Sequence, residues 1–187
     1  LTLTLTDAEE NHFGSGALNL FSSGNELSAV GMEMVGSFGG SVLEPGETID
    51  IRIELNNDGS TDALSVSGTI TCASPFVDII DGSGTWATVN SGGASMNGDD
   101  HFQISTLDET IPGTIAHLIV NLETEEGYVS NSILEVQIGT PTVNDPVGPD
   151  AYGYYIYDNE DIDYLLSPTY EWVEIDAREG GPGQHLS

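Results

Sequence analysis

Apolar residues recur at every second position over much of this chain, which is the period of a strand with one buried face. In residues 48–55, Ile49, Ile51, Ile53 and Leu55 share one face, while Asp50, Arg52 and Glu54 share the other. Half-buried antiparallel sheet follows from that pattern. The stretches 27–35, 64–72, 77–80, 86–89, 101–104, 115–122 and 129–138 also read as strands between turn residues, at a spacing that suits a β-sandwich. Glu44-Pro45-Gly46-Glu47 and Asn56-Asn57-Asp58-Gly59 bound the 48–55 strand, with Pro and Gly placed for a tight turn and Asp-Gly positions that tolerate positive φ. Ala17-Leu18-Asn19-Leu20-Phe21 could add one strand. Leu1-Thr2-Leu3-Thr4-Leu5-Thr6 alternates without a break. An apolar strand there has to be covered, by the domain's own sheet or by the edge of a neighbouring subunit.

The pattern changes twice. Residues 1–24 form an N-terminal strand extension, 25–139 the sandwich, and 140–187 a linker with a tyrosine-rich extension. Pro141, Pro146, Gly148 and Pro149 make the linker extended. Tyr152-Gly153-Tyr154-Tyr155-Ile156-Tyr157 and Tyr170-Glu171-Trp172-Val173-Glu174-Ile175 could each be a strand. Two strands cannot bury a core alone, so they must lean on the sandwich or on another chain. Residues 180–187 have no periodicity and read as a disordered or cleaved terminus. No start methionine or signal-like region precedes Leu1, so the chain reads as processed or excised.

With 187 residues, one domain plus extensions is the natural size. The 23 glycines and the 7 % aromatic share favour short strands and tight turns. Charge narrows function further: 31 acidic residues face only Arg52 and Arg178, for a formal charge of −29. Such a surface repels nucleic acid and anionic lipid and attracts cations. It also opposes compaction unless salt or Ca²⁺ screens it, which points to a saline or calcium-containing medium. No apolar run is long enough for a membrane-spanning helix. Cys72 is the only cysteine, so no internal disulfide forms, and its strand position predicts burial.

Candidate chemistry is sparse. Cys72, His101 and His117 have the residue types of a nucleophile and base, but they fall on three separate strands. Packed or hydrogen-bonded strand residues are the better reading. Acid pairs such as Glu171 with Glu174 are uninformative where acids are everywhere. Asp158, Glu160, Asp161 and Asp163 place hard oxygen ligands close together, as Ca²⁺ coordination requires, without the glycine and distal glutamate of an EF-hand. Asn56, Asp58 and Asp62, or Asn97, Asp99 and Asp100, are weaker candidates, and turn chemistry is the better explanation of the first set. Tyr152, Tyr154, Tyr155, Tyr157, Tyr164, Tyr170 and Trp172 gather aromatics near the C-terminus. They could contact protein or carbohydrate, or dock on the sandwich.

Leu43-Glu44-Pro45-Gly46-Glu47-Thr48-Ile49-Asp50-Ile51, Leu55-Asn56-Asn57-Asp58-Gly59-Ser60-Thr61-Asp62-Ala63 and Ser74-Pro75-Phe76-Val77-Asp78-Ile79 together resemble immunoglobulin-like accessory domains of large secreted bacterial proteins. These include adhesion-related domains and modules appended to gingipain-like peptidases. The segments 148–155 and 168–176 are similar to the junction that follows such modules. The resemblance implies an all-β, immunoglobulin-like antiparallel sandwich, secretion, and no catalytic chemistry. Two functions are expected from it and from the residues. One is a non-catalytic structural or adhesive module whose partners are neighbouring domains. The other is a self-assembling filament or sheath subunit in which Leu1, Leu3 and Leu5, or the tyrosine segment with Trp172, completes an identical subunit's sheet, with Ca²⁺ bridging the acids.

Overall fold

The computed structural model describes residues 2–6, 12–17, 24–35, 42–158 and 160–168, the first two stretches as backbone alone. The described residues form eleven strands: β1 (Thr2–Thr6), β2 (His12–Ala17), β3 (Leu27–Val35), β4 (Thr48–Asn57), β5 (Ala63–Cys72), β6 (Val77–Asp81), β7 (Ser83–Val89), β8 (Gly93–Met96), β9 (Phe102–Thr106), β10 (Thr114–Glu123) and β11 (Val129–Ile138). One sheet has the order β3-β4-β9-β6, with β8 pairing the far half of β4 in line with β9; the other has the order β11-β10-β5-β7. Labelled A, B, E, D and G, F, C in sequence, these are the two sheets of an immunoglobulin-like sandwich, with β7 added at the C edge. Among the described residues β1 and β2 pair only with each other.

Alternation explains the layers. Ala116, Leu118, Val120 and Leu122 of β10 are buried, and Ile49, Ile51, Ile53 and Leu55 of β4 meet them from the opposite sheet. Between the layers, Trp86 donates its indole N–H to the Ile53 carbonyl at 3.0 Å and lies 5.9 Å from the Phe102 ring centroid. Glycine makes room for both rings: a Cβ on Gly84 would come within 2.5 Å of Phe102, and one on Gly68 within 2.7 Å of Trp86.

Two buried asparagines hold the sheet margins. Asn97 bridges the break between β8 and β9: its Oδ1 accepts from the Ile53 N–H at 2.6 Å, and its Nδ2 donates to the Asp100 carbonyl. Asn57 accepts from the Glu26 and Gly59 N–H groups and donates to the Thr61 and Val89 carbonyls. The full hydrogen-bonding capacity of that amide is used, which makes its burial affordable. Along the β3 and β11 edges, Tyr128 accepts from the Leu27 N–H, Ser130 donates to the Leu27 carbonyl, and Ser132 accepts from the Ala29 N–H.

Several expectations need correction. A strand not anticipated lies at His12–Ala17, where it pairs with β1, and residues 18–21 of the strand expected over 17–21 lie outside the described residues. β8 was not anticipated, because Gly-Ala-Ser-Met has no alternation. Residues 152–157 are not a strand; one bridge, Val147 to Ile156, closes a loop whose N–H groups at Tyr152 and Tyr154 bond the Asp150 carboxylate. Gly59 is not at positive φ. Its value is close approach, since a Cβ there would sit 2.3 Å from the Gly24 carbonyl oxygen. Cys72 is half-buried rather than buried, because its inward-facing parity coincides with the end of β5. The segments 170–175 and 180–187 lie outside the described residues.

Replacing Gly84 by Ala is expected to lower unfolding stability by about 1–3 kcal/mol, measured by urea denaturation. Gly98→Ala, where an added Cβ meets nothing within 4 Å, should stay within about 0.5 kcal/mol of the parent.

Candidate interaction surface

The outward parity of the β5, β10 and β11 sheet forms a broad face. Its rows follow from the register: Thr71, Ile119 and Ile133; Thr69, Asn121 and Asn131; Ser67, Glu123 and Val129. Ile133 and Val129 are 62 % and 67 % exposed, and Ile115, opposite Gln137 on the same face, is 53 % exposed. A shallow groove runs over Ser67, Thr69, Asn121, Val129 and Asn131. His117 and Glu135, paired across the strands at 3.4 Å, lie on the same face. Apolar and amide groups on a rigid sheet favour contact with another surface.

The possible nucleophile and bases do not converge. Cys72 packs against the core opposite Leu118, whereas His117 is one position along β10 and faces outward. His101 immediately precedes β9 of the other sheet, with its Nδ1 3.9 Å from an Asp50 oxygen. Glu171 and Glu174 lie outside the described residues, as do Leu1, Tyr170 and Trp172; Leu3 and Leu5 lie in β1, described as backbone.

The chain after β11 folds back as a strap against the sandwich. Leu165 donates its N–H to the Glu109 carbonyl at 3.0 Å. Tyr155 and Pro149 line a groove with Ser74, Phe76, Thr114 and His117. Tyr155 and Tyr157 stack at a tilt, 6.3 Å apart. The Tyr157 hydroxyl is buried without a partner among the described residues, and burial, Tyr155 and Asp161 together push its pKa up. Tyr152 and Tyr154 point away, 86 % and 72 % exposed. The segment therefore divides between docking on its own sandwich and open display.

The acidic loop spends its carboxylates locally. Asp161 is buried and accepts from the Asp158 N–H at 2.7 Å, while Asp158 accepts from the Glu160 N–H at 2.8 Å. Asp163 is exposed. Among the described residues no three Asp, Glu, His or Cys side chains are gathered as a metal cage. Asp58 likewise accepts from Asn56, Asp62 from the Ser91 N–H, and Asp100 from Thr85. Among the described residues no helix is long and apolar enough to cross a membrane.

No protein-family model matches the chain, and no curated protein matches it. Solved structures match parts of the chain at low identity. The CARDB domain of a Pyrococcus furiosus protein, solved in complex with di-metal ions, is 11 % identical, with a TM-score of 0.38, over 65 % of this chain and 94 % of that one. A PapD-like domain of human CEP192 is 17 % identical, with a TM-score of 0.32, over 68 % of this chain and 96 % of that one. A lipoprotein of Bacteroides thetaiotaomicron is 15 % identical, with a TM-score of 0.30, over 64 % of this chain and 85 % of that one. The fold assignment rests on the sheet order itself.

One bond of the strap gives a pH-dependent prediction. Burial opposes ionisation of Asp145, but donors from the Tyr164 hydroxyl at 2.7 Å, the Thr142 N–H and the Thr142 hydroxyl outweigh it and hold its pKa below the usual value. Burial, the bond to Asp145 and the nearby acids push Tyr164 up to about 12. A depressed carboxylate stabilises the fold above its unfolded pKa and loses that contribution as pH falls through the folded value. The raised tyrosine stabilises below about pH 10, and that contribution is lost as pH rises through its folded value. Tyr164→Phe should therefore raise the Asp145 pKa in a carboxylate NMR titration. It should also speed hydrogen exchange at the Leu165 amide at neutral pH.

Proposed function

We propose that this protein is a non-catalytic structural or adhesive module of an extracellular, cell-surface assembly, working through protein contact. The observation that carries this reading is the exposed β5, β10 and β11 face, where Ile115, Ile119, Val129 and Ile133 stand in open rows. No nucleophile and base converge on it. The formal charge of −29 supports a saline location, because screening ions lower the self-repulsion of the compact state. Calcium contributes by neutralising surface carboxylates that would otherwise repel a neighbouring subunit. In this reading the exposed Tyr152 and Tyr154 are a second contact element, suited to protein or carbohydrate.

Hydroxyl-radical footprinting of the native cell-surface fraction, against the isolated chain, tests this. Reduced labelling of Ile119 and Ile133 in the surface fraction is expected, with release of the protein when a chelator is added. Absence of the protein from that fraction, or equal labelling of both isoleucines, would remove the reading. Retention despite chelation would remove the calcium contribution alone.

A further inference from the structure

A two-sheet sandwich has four edges, and here they are closed unequally. β3 and β11 close against each other through Tyr128, Ser130 and Ser132. β6 is short, with a register shift between Ile79 and Asp81 and acids at Asp78 and Asp81. A bulge and inherent charge are the usual protections of an edge strand. β7 has neither: Ser83-Gly84-Thr85-Trp86-Ala87-Thr88-Val89 carries no charge and no proline, in a chain with 31 acids.

The register shows which backbone groups are open. Ile70 donates its N–H to the Gly82 carbonyl, so the alternation of antiparallel pairs turns Ser83, Thr85 and Ala87 away from β5. The Ser83 N–H is taken by the Asp81 carboxylate at 3.0 Å. The main-chain groups of Thr85 and Ala87 are left facing outward, with no partner among the described residues.

We infer that the β7 edge receives strand β1 of a second copy of this chain, extending the β11-β10-β5-β7 sheet across the two molecules. Among the described residues β1 is paired with β2 on one side only, and a two-stranded sheet by itself is marginal in water. Two bodies of charge −29 approach most readily along strands that carry no charge of their own, although the Asp81 and Asp100 carboxylates accept from Ser83 and Thr85 beside the β7 edge. Thr2-Leu3-Thr4-Leu5-Thr6 and Ser83–Val89 are both uncharged, and main-chain pairing needs no charge complementarity. The inference rests on the reading of the protein as a module that works by contact, and adds the identity of one partner.

Sedimentation velocity over a hundredfold concentration range, in about 0.5 M salt to shorten the screening length to a few Å, tests it on the full chain. Self-association is expected. Ala87→Pro, which removes one outward N–H where an edge strand tolerates proline, should weaken association by about tenfold. Removing residues 1–17 should weaken it at least as much. Ala87→Glu, which keeps the backbone intact and adds a like charge, should do the same, so a folding defect in the proline variant would not obscure the result. A monomer throughout, or association that survives either the edge changes or the truncation, overturns the inference. Such a failure leaves the footprint on Ile119 and Ile133 unaffected, because those residues lie on a sheet face rather than at the β7 edge.

Discussion

The contact between Trp86 and Ile53 is the interaction on which the sandwich depends. A single indole N–H crosses from one sheet to a main-chain carbonyl of the other, and the ring fills the space between them. The Ile53 carbonyl also accepts from the Asn97 N–H, and the Ile53 N–H donates to the Asn97 side chain. One residue of β4 thus ties together the opposite sheet, β8 and the start of β9. The glycines at 68 and 84 follow from the same contact, because the rings occupy the space their side chains would need.

Charge shapes the remainder. Within the described core the buried polar residues are amides and hydroxyls, apart from Asp161, which lies in the strap and accepts a backbone N–H. Burying neutral groups that are hydrogen-bonded avoids the desolvation cost that acids would bring. The acids are left at the surface, where ions screen them. Apolar side chains stay exposed on the β10 and β11 face in spite of this, which separates a contact surface from the repulsive remainder.

The sandwich was legible wherever alternation was strict. β4 and β10 follow period two from end to end, and the stretches 48–55 and 115–122 mark them closely. Phase failed where the backbone departs from the pleat. Ser65 adopts φ 48°, and burial passes from Ala63 to Val66 across it, an odd step that no alternation predicts. β8 was illegible because its pairing with β4 uses main-chain groups and its side chains carry little signal. Of the candidate residues, the tyrosines were legible as a cluster, but which of them turn inward depends on the Asp150 turn and the groove beside His117. The importance of Asn57 and Asn97 was masked by their resemblance to ordinary turn residues.

The hydroxyl-laced edge has a mechanical consequence. Leu27 lies beside Ser130, Ala29 beside Ser132, and Leu43 forms a parallel bridge with Ile138, so the first and last strands of the sandwich run in the same direction. The chain enters at one pole and leaves at the other, roughly the length of a ten-residue strand away, about 33 Å. Tension applied through the flanking segments therefore loads this row of bonds in shear, all at once, rather than peeling them open in turn. Such a geometry would share a pulling load across the whole row instead of concentrating it on a single bond.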